Sequence, residues 1–239
     1  MKVIVFDVWG DYAHFRRFYT TTSPITFSLP PPPTVLGIIG SVIGLRRENN
    51  EYLKILNPQT TAVGIQILKP IKKIRLGINL INTKNNIFWL KERREGARTP
   101  TRFEFLKEPA YRIYFHHEDE QLMVKMKEHL SEHKSFFTPC LGLSELLADF
   151  RFVGYLSAEE KSDEFSEILT AIAVSNLSDG GIKLEEGKKY FKETLPLSMD
   201  GERKVLRYED VVFEGDGKSI KAKLKRFFQL ENGEAFCFL

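Results

Sequence analysis

Lys2-Val3-Ile4-Val5-Phe6-Asp7-Val8-Trp9 is the stretch on which the fold turns. Its residues are mostly β-branched or aromatic, and apolar side chains fall on both alternating faces, the pattern of a strand covered on two sides. Such a strand sits in the middle of a sheet. The rest of the chain must therefore supply neighbours for both edges and cover for both faces.

Outward from that strand, the polar and aromatic residues 10–28 lead to Pro30 to Pro33. Four prolines favour extended geometry and do not fit inside a helix, so Thr34 is predicted to cap a buried helix over Val35 to Leu45. Gly37, Gly40 and Gly44 would let another backbone or side chain approach that helix closely. Thr61 to Leu68 and Lys72 to Ile81 are β-rich and separated by Lys69-Pro70-Ile71, which predicts a hairpin. Tyr111 to Phe115 resumes a strand. Glu118 to Lys134 reads as a helix with Leu122, Met123, Met126 and Leu130 on one stripe, and Phe150 to Leu156 as a strand.

The order is βαββαβ, which predicts an α+β, ferredoxin-like (RRM-like) sandwich with two helices on one face of an antiparallel sheet. Residues 84 to 107 interrupt it with seven Lys or Arg and three Glu, a local net charge of +4, and with Gly96 and Pro100. This predicts a projecting basic thumb hairpin, its tip near those two residues. The expected division is a ferredoxin-like domain over 1–156 and a mostly β domain over 157–239. Strands are expected at Ile168 to Val174, Val205 to Phe213, Ile220 to Phe228 and Ala235 to Leu239, and the acidic residues 159–164 read as a linker or exposed loop.

The chain has 239 residues and a formal net charge of only +3. Residues 1 to 117 carry 18 positive and 8 negative charges, residues 118 to 239 carry 17 and 24, so the halves are +10 and −7. A concentrated positive field attracts polyphosphate and an acidic one repels it, which assigns any nucleic acid to the first half and protein or water to the second. Cys140 and Cys237 have no metal-ligand spacing, and no signal-peptide pattern opens the chain, which reads as cytoplasmic. The apolar run Val35 to Leu45 is about half of the roughly 20 residues a bilayer crossing needs.

Three motifs point to chemistry and fail on spacing or context. Gly215-Asp216-Gly217-Lys218-Ser219 resembles the end of a phosphate-binding loop, but Val212 stands where its first glycine belongs and a period-two strand pattern follows, so a hairpin turn is expected. His129-Leu130-Ser131-Glu132-His133 has the spacing of a zinc helix without an identifiable further ligand, and reads as an exposed helix end. The three helix glycines do not have the spacing of a dinucleotide fingerprint. No metal or cofactor is expected.

The basic and aromatic elements carry more. His14, Phe15, Arg16, Arg17 and Tyr19 mix guanidinium groups with rings, which suits phosphate pairing and base stacking as well as core packing with a solvated rim. Arg46 and Arg47 follow the first helix, where its macrodipole also favours them. Lys91, Arg93, Arg94, Arg98 and Arg102 surround the expected hairpin tip and are candidate RNA contacts.

Phe6-Asp7-Val8-Trp9-Gly10, Ala13-His14-Phe15-Arg16, and Pro30 to Pro33 with Thr34-Val35-Leu36-Gly37-Ile38-Ile39-Gly40 are similar to the N-terminus of the CRISPR-associated protein five family. Thr138-Pro139-Cys140-Leu141-Gly142-Leu143-Ser144-Glu145 and Phe152-Val153-Gly154 resemble its segment between the second helix and the last ferredoxin strand. The resemblance spans residues 1 to about 156. It implies a repeat-associated mysterious protein (RAMP) fold in a type I surveillance (Cascade) complex of the I-A/I-B-like branch. It further implies a subunit that holds the 5′ tag of the guide crRNA and contacts the backbone (RAMP) subunit and the large subunit. One subtype of the family cleaves precursor RNA without metal, using a tyrosine near the end of the first helix with a lysine and a histidine. Leu45-Arg46-Arg47 ends the helix here and His116-His117 has no lysine neighbour, so a non-catalytic role is expected. If the chain is an enzyme, His14, His116 or His117 is the candidate base.

Overall fold

A computed structural model describes residues 1–20, 22–81 and 98–239. The elements are β1 (Lys2–Trp9), β2 (Tyr12–Ala13), α1 (Pro32–Ile43), α2 (Glu51–Ile55), β3 (Thr61–Ile67), β4 (Lys73–Ile81), β5 (Arg98–Lys107), β6 (Ala110–His117), α3 (Glu120–Ser131) and β7 (Asp149–Lys161). They continue with β8 (Phe165–Ile168), β9 (Ile172–Ala173), β10 (Leu177–Ile182), β11 (Tyr190–Met199), β12 (Val205–Glu214), β13 (Ile220–Leu224), β14 (Phe227–Leu230) and β15 (Ala235–Phe236). The result is a mixed α+β protein, mostly strands.

β1 lies between β6 and β7 in a sheet that runs β10-β13-β8-β15-β14-β7-β1-β6-β3. Its four-strand core, β7-β1-β6-β3, is antiparallel throughout, the neighbour order that a split βαβ arrangement requires. Ile4, Phe6 and Val8 face α1 and α3, including Leu122, Met123, Met126 and Leu130 of the expected stripe. Val3 and Val5 face the other way and are covered by Phe228, Leu230 and Phe236 of the curled-back C-terminal strands. Each fully buried side chain of this kind is worth about 1.5–3 kcal/mol, so two-sided cover fixes β1 in register.

α1 begins two residues before the expected cap. Pro32 and Pro33 occupy its first turn, where no N–H is needed, and Pro31 stands at the cap position without a side-chain bond. The amides of Thr34 and Val35 both donate to Pro31 O. The helix closes at Gly44, whose φ of 81° is the left-handed conformation that glycine adopts freely, and Gly40 lets Tyr52 of α2 approach to 3.1 Å of where a Cβ would stand.

Several expected connections differ. β3 and β4 are not a hairpin: β3 pairs with β6, and β4 pairs with β5 in a separate three-stranded sheet β2-β5-β4. Lys69-Pro70-Ile71 is the crossover between the sheets, with Ile71 N donating to Gly215 O. The projecting hairpin is β4 with β5, in register from Lys73↔Leu106 to Ile81↔Arg98. Pro100 is therefore not at a tip but within β5 opposite Asn79, on a stretch whose other edge is unpaired, where a proline costs no ladder bond. Of the expected thumb, residues 84–97 lie outside the described residues.

The expected boundary at 156 falls inside β7, which continues to Lys161. Glu159, Glu160 and Lys161 are ladder residues of β7 opposite Gln229, Phe228 and Phe227, rather than a linker. Leu195, Leu197, Val211 and Phe213 of the hairpin β11–β12 join the helix-side cluster, so both halves of the chain share one core.

Candidate nucleic-acid interface

Past Trp9 the chain adds β2 to the edge of β5, bridges Arg16 to Thr26, and returns to the prolines ahead of α1. A second loop, residues 132–148, docks against it: His14 N donates to Leu141 O. Between these loops, α1 and the turn joining β11 to β12 lies an open groove of about 770 Å³. Its wall carries Arg16, Arg46, Arg47 and Arg203 against the single carboxylate of Glu48. Arg46 reaches Glu48 at 3.9 Å with both side chains largely in solvent, a pairing of little energetic weight. Arg16 donates to Thr20 O at 2.7 Å.

Phe136 and Phe137 line the same groove and are 68% and 42% exposed. Their amides donate to Val42 O and Ser41 O, the last carbonyls of α1, which removes partial negative charge from the groove wall. The start of α1, with Pro31, Pro33 and Thr34 on the wall, offers anions nothing: two of its first residues lack N–H and the next two amides are bonded to Pro31. The groove groups with the chemistry to hold an anion are the arginines.

His14 is buried beside the rings of Phe103 and Phe105, 5.3 and 5.5 Å away. Its Nδ1 lies 2.7 Å from Glu104 O, an acceptor, so Nδ1 carries the proton and Nε2 is a lone-pair acceptor with no partner among the described residues. Burial lowers the pKa of His14 from its ordinary 6.5 and keeps the ring neutral. Burial also raises the Cys140 thiol beside it in the groove.

The other sequence candidates divide. Phe15 is core, packed on Tyr111, and presents no stacking face. Arg17 does not reach the groove: it donates to Glu193 at 2.6 Å and to the Tyr19 hydroxyl at 2.9 Å. Tyr19 is exposed against Phe18, outside the groove wall. Arg98 and Arg102 are exposed on the ribbon face that Arg75 and Glu104 also occupy. Lys91, Arg93 and Arg94 lie outside the described residues. His116 donates from Nδ1 to Lys2 O. His117 is buried, accepts at Nδ1 from Asp119 N, and faces Ile55 O and Thr60 Oγ1 with Nε2. It stands at the end of β6 farthest from the His14 loop.

Two discounted motifs resolve physically. The Gly215–Ser219 turn does not make a hairpin, since β12 pairs with β11 and β13 with β8 and β10. Its amides are already occupied: the buried Glu214 carboxylate accepts from the amides of Asp216, Lys218 and Lys189. His133 pairs with Asp149 at 3.2 Å and stacks on Phe150. Sequence reasoning missed Phe136, Phe137 and Arg203. A phenylalanine doublet directly after the polar run Glu132-His133-Lys134-Ser135 was a usable signal for the first two. Arg203 was hidden by the net acidity of its half.

This is a mixed α+β protein, mostly strands, whose curled main sheet carries a cationic groove at one end. The model of the CRISPR-associated protein (Cas_Cas5) family matches residues 3–215, and the chain belongs to that family. No curated protein matches it. Among solved structures, a CRISPR protein from Archaeoglobus fulgidus is similar at 17% identity and a TM-score of 0.56, covering 98% of this chain and 97% of that one. A chain of a CRISPR RNA-guided surveillance complex is similar at 12% identity and a TM-score of 0.56, covering 93% and 92%. At such identities the likeness is one of fold.

Proposed function

We propose that this chain is the RNA-binding subunit of a type I CRISPR surveillance complex of the I-A/I-B-like branch, and that it holds the 5′ tag of the guide in the groove beside α1 without cleaving it. The observation that carries the reading is the gathering of Arg16, Arg46, Arg47 and Arg203 with exposed phenylalanines in one groove. Phosphate neutralisation plus stacking is how single strands are held without base-edge readout. The fold likeness to a chain of an RNA-guided surveillance complex supports the same assignment. The RAMP-type reading treats β7-β1-β6-β3 with α1 and α3 as the binding domain and β4–β5 as the thumb. The backbone and large subunits are the proposed protein partners.

Binding is favoured over cleavage because His116 and His117 spend ring nitrogens on backbone groups and neither lines the groove. General-base catalysis needs a ring nitrogen within about 3 Å of the 2′-hydroxyl, and only His14 borders the groove. The test is incubation of the pure protein with single-stranded tag RNA and with repeat RNA in chelator. Salt-sensitive tag binding with intact repeat RNA is the expected result. Cleavage abolished by His14→Asn in a folded protein would establish the endoribonuclease reading instead.

A further inference from the structure

Phe136 and Phe137 expose ring surface that a folded chain ordinarily buries. Two adjacent rings, 68% and 42% exposed and meeting edge to face at 4.9 Å, are held out of the core by main-chain bonds to α1. The Phe136 ring presses on Gly44, whose missing Cβ would stand 2.9 Å from it, so the position of the pair is built into the helix end. Phe15 and Phe27 line the same groove but are 3% and 2% exposed, and serve as its floor.

From this geometry we infer that Phe136 and Phe137 are the base-stacking platform of the groove, and that its ligand is an unpaired nucleotide of the guide. This rests on the RNA-binding reading above and adds to it the residues that select single strands. Arginines on the same wall supply phosphate partners at the edge of the rings, and stacking on an aromatic face requires that a base be free of its own neighbours. A groove of about 770 Å³ has the size of a small-molecule pocket, suited to unstacked bases and not to a helix. The exposed aromatic cluster of Phe18, Tyr19 and Tyr208 lies outside the groove wall, and Arg17, which bonds the Tyr19 hydroxyl, is paired with Glu193.

The experiment uses the full chain and a single-stranded oligoribonucleotide of the tag carrying 2-aminopurine, titrated at several salt concentrations. Phe136→Leu and Phe137→Leu keep an apolar side chain without a ring face. Each is expected to weaken binding about tenfold and reduce the fluorescence quench, with the salt slope unchanged. Phe136→Tyr and Phe137→Tyr are expected to restore both, which separates stacking from misfolding. Wild-type affinity and quench in both leucine variants, while Arg46→Gln and Arg47→Gln still weaken binding, would overturn the inference, leave the groove reading standing and mark the pair as a protein contact. No binding by the wild-type chain would overturn both.

Discussion

Arg17 Nη2 lies 2.6 Å from Glu193 Oε1, and this pair joins the loop after β1 to β11, 176 positions along the chain. Glu193 also accepts from the amide and hydroxyl of Ser28, with Lys73 Nζ at 3.6 Å. The Glu193 side chain is 11% exposed, so its partners hold a largely desolvated carboxylate.

Glu193→Ala is therefore expected to cost about 2–3 kcal/mol, since it strands the Ser28 donors and the Arg17 charge, whereas Arg17→Ala should cost about 1 kcal/mol. A double-mutant cycle read by denaturant unfolding should return a coupling above about 0.5 kcal/mol. Tag affinity of folded Arg17→Ala should equal that of the wild type. A loss of affinity without a loss of stability would place Arg17 on the RNA.

Four groove arginines set the salt dependence. With about 0.7 counterions released per phosphate on a single strand, the logarithm of affinity should fall with the logarithm of salt at a slope of roughly −3. Arg46→Gln, Arg47→Gln and Arg203→Gln should each make it shallower by about 0.7. The check is a binding isotherm series over salt, and a slope near zero would remove phosphate contact from the account.

His14 gives the fold a pH dependence of known sign. Burial lowers its pKa in the folded state below 6.5, so the unfolded chain takes up the proton first as pH falls. Stability should drop through the window just below pH 6.5 and level off once both states are protonated. His14→Asn retains an N–H for Glu104 O and cannot titrate. Unfolding free energies of the two proteins between pH 5 and 8 should diverge below 6.5, with the variant the flatter.

Gly142 has φ near +100°, and a Cβ there would stand 2.0 Å from His14 O. Gly142→Ala must displace the contact between the two groove loops and adopt a strained backbone, at a cost of about 2 kcal/mol or more. Melting temperature and tag affinity should fall together.

The sheet was legible because its signals are local. β1 displays two apolar faces, α3 one stripe, and β7 an apolar run, each readable within a dozen residues. β11 was missed because Pro196 interrupts it, and the structure tolerates that proline at a register shift between Pro196 and Ser198. The fate of Arg17 was illegible for a different reason: nothing near it in sequence announces a carboxylate on β11. Three of the four groove arginines lie in the half whose net charge is +10 and Arg203 in the half at −7, because net charge averages over a surface while a groove takes single side chains.

β7 runs unbroken through the position where a domain boundary was expected. Its residues Asp149 to Ser157 are laddered to β1, with Val153 bulged out of the register, and the next four, Ala158 to Lys161, to β14. The turn carrying Arg203 belongs to the separate sheet β11-β12-β9, and that sheet is fixed against α1 through the shared core. With α1, β11 and β12 in one core, the width of the groove is expected to be set when the chain folds, so that under the proposed function the RNA alone gives up freedom on entering it. Association should then run at the rate of encounter, quickened by the arginine field, with no slow closing step behind it.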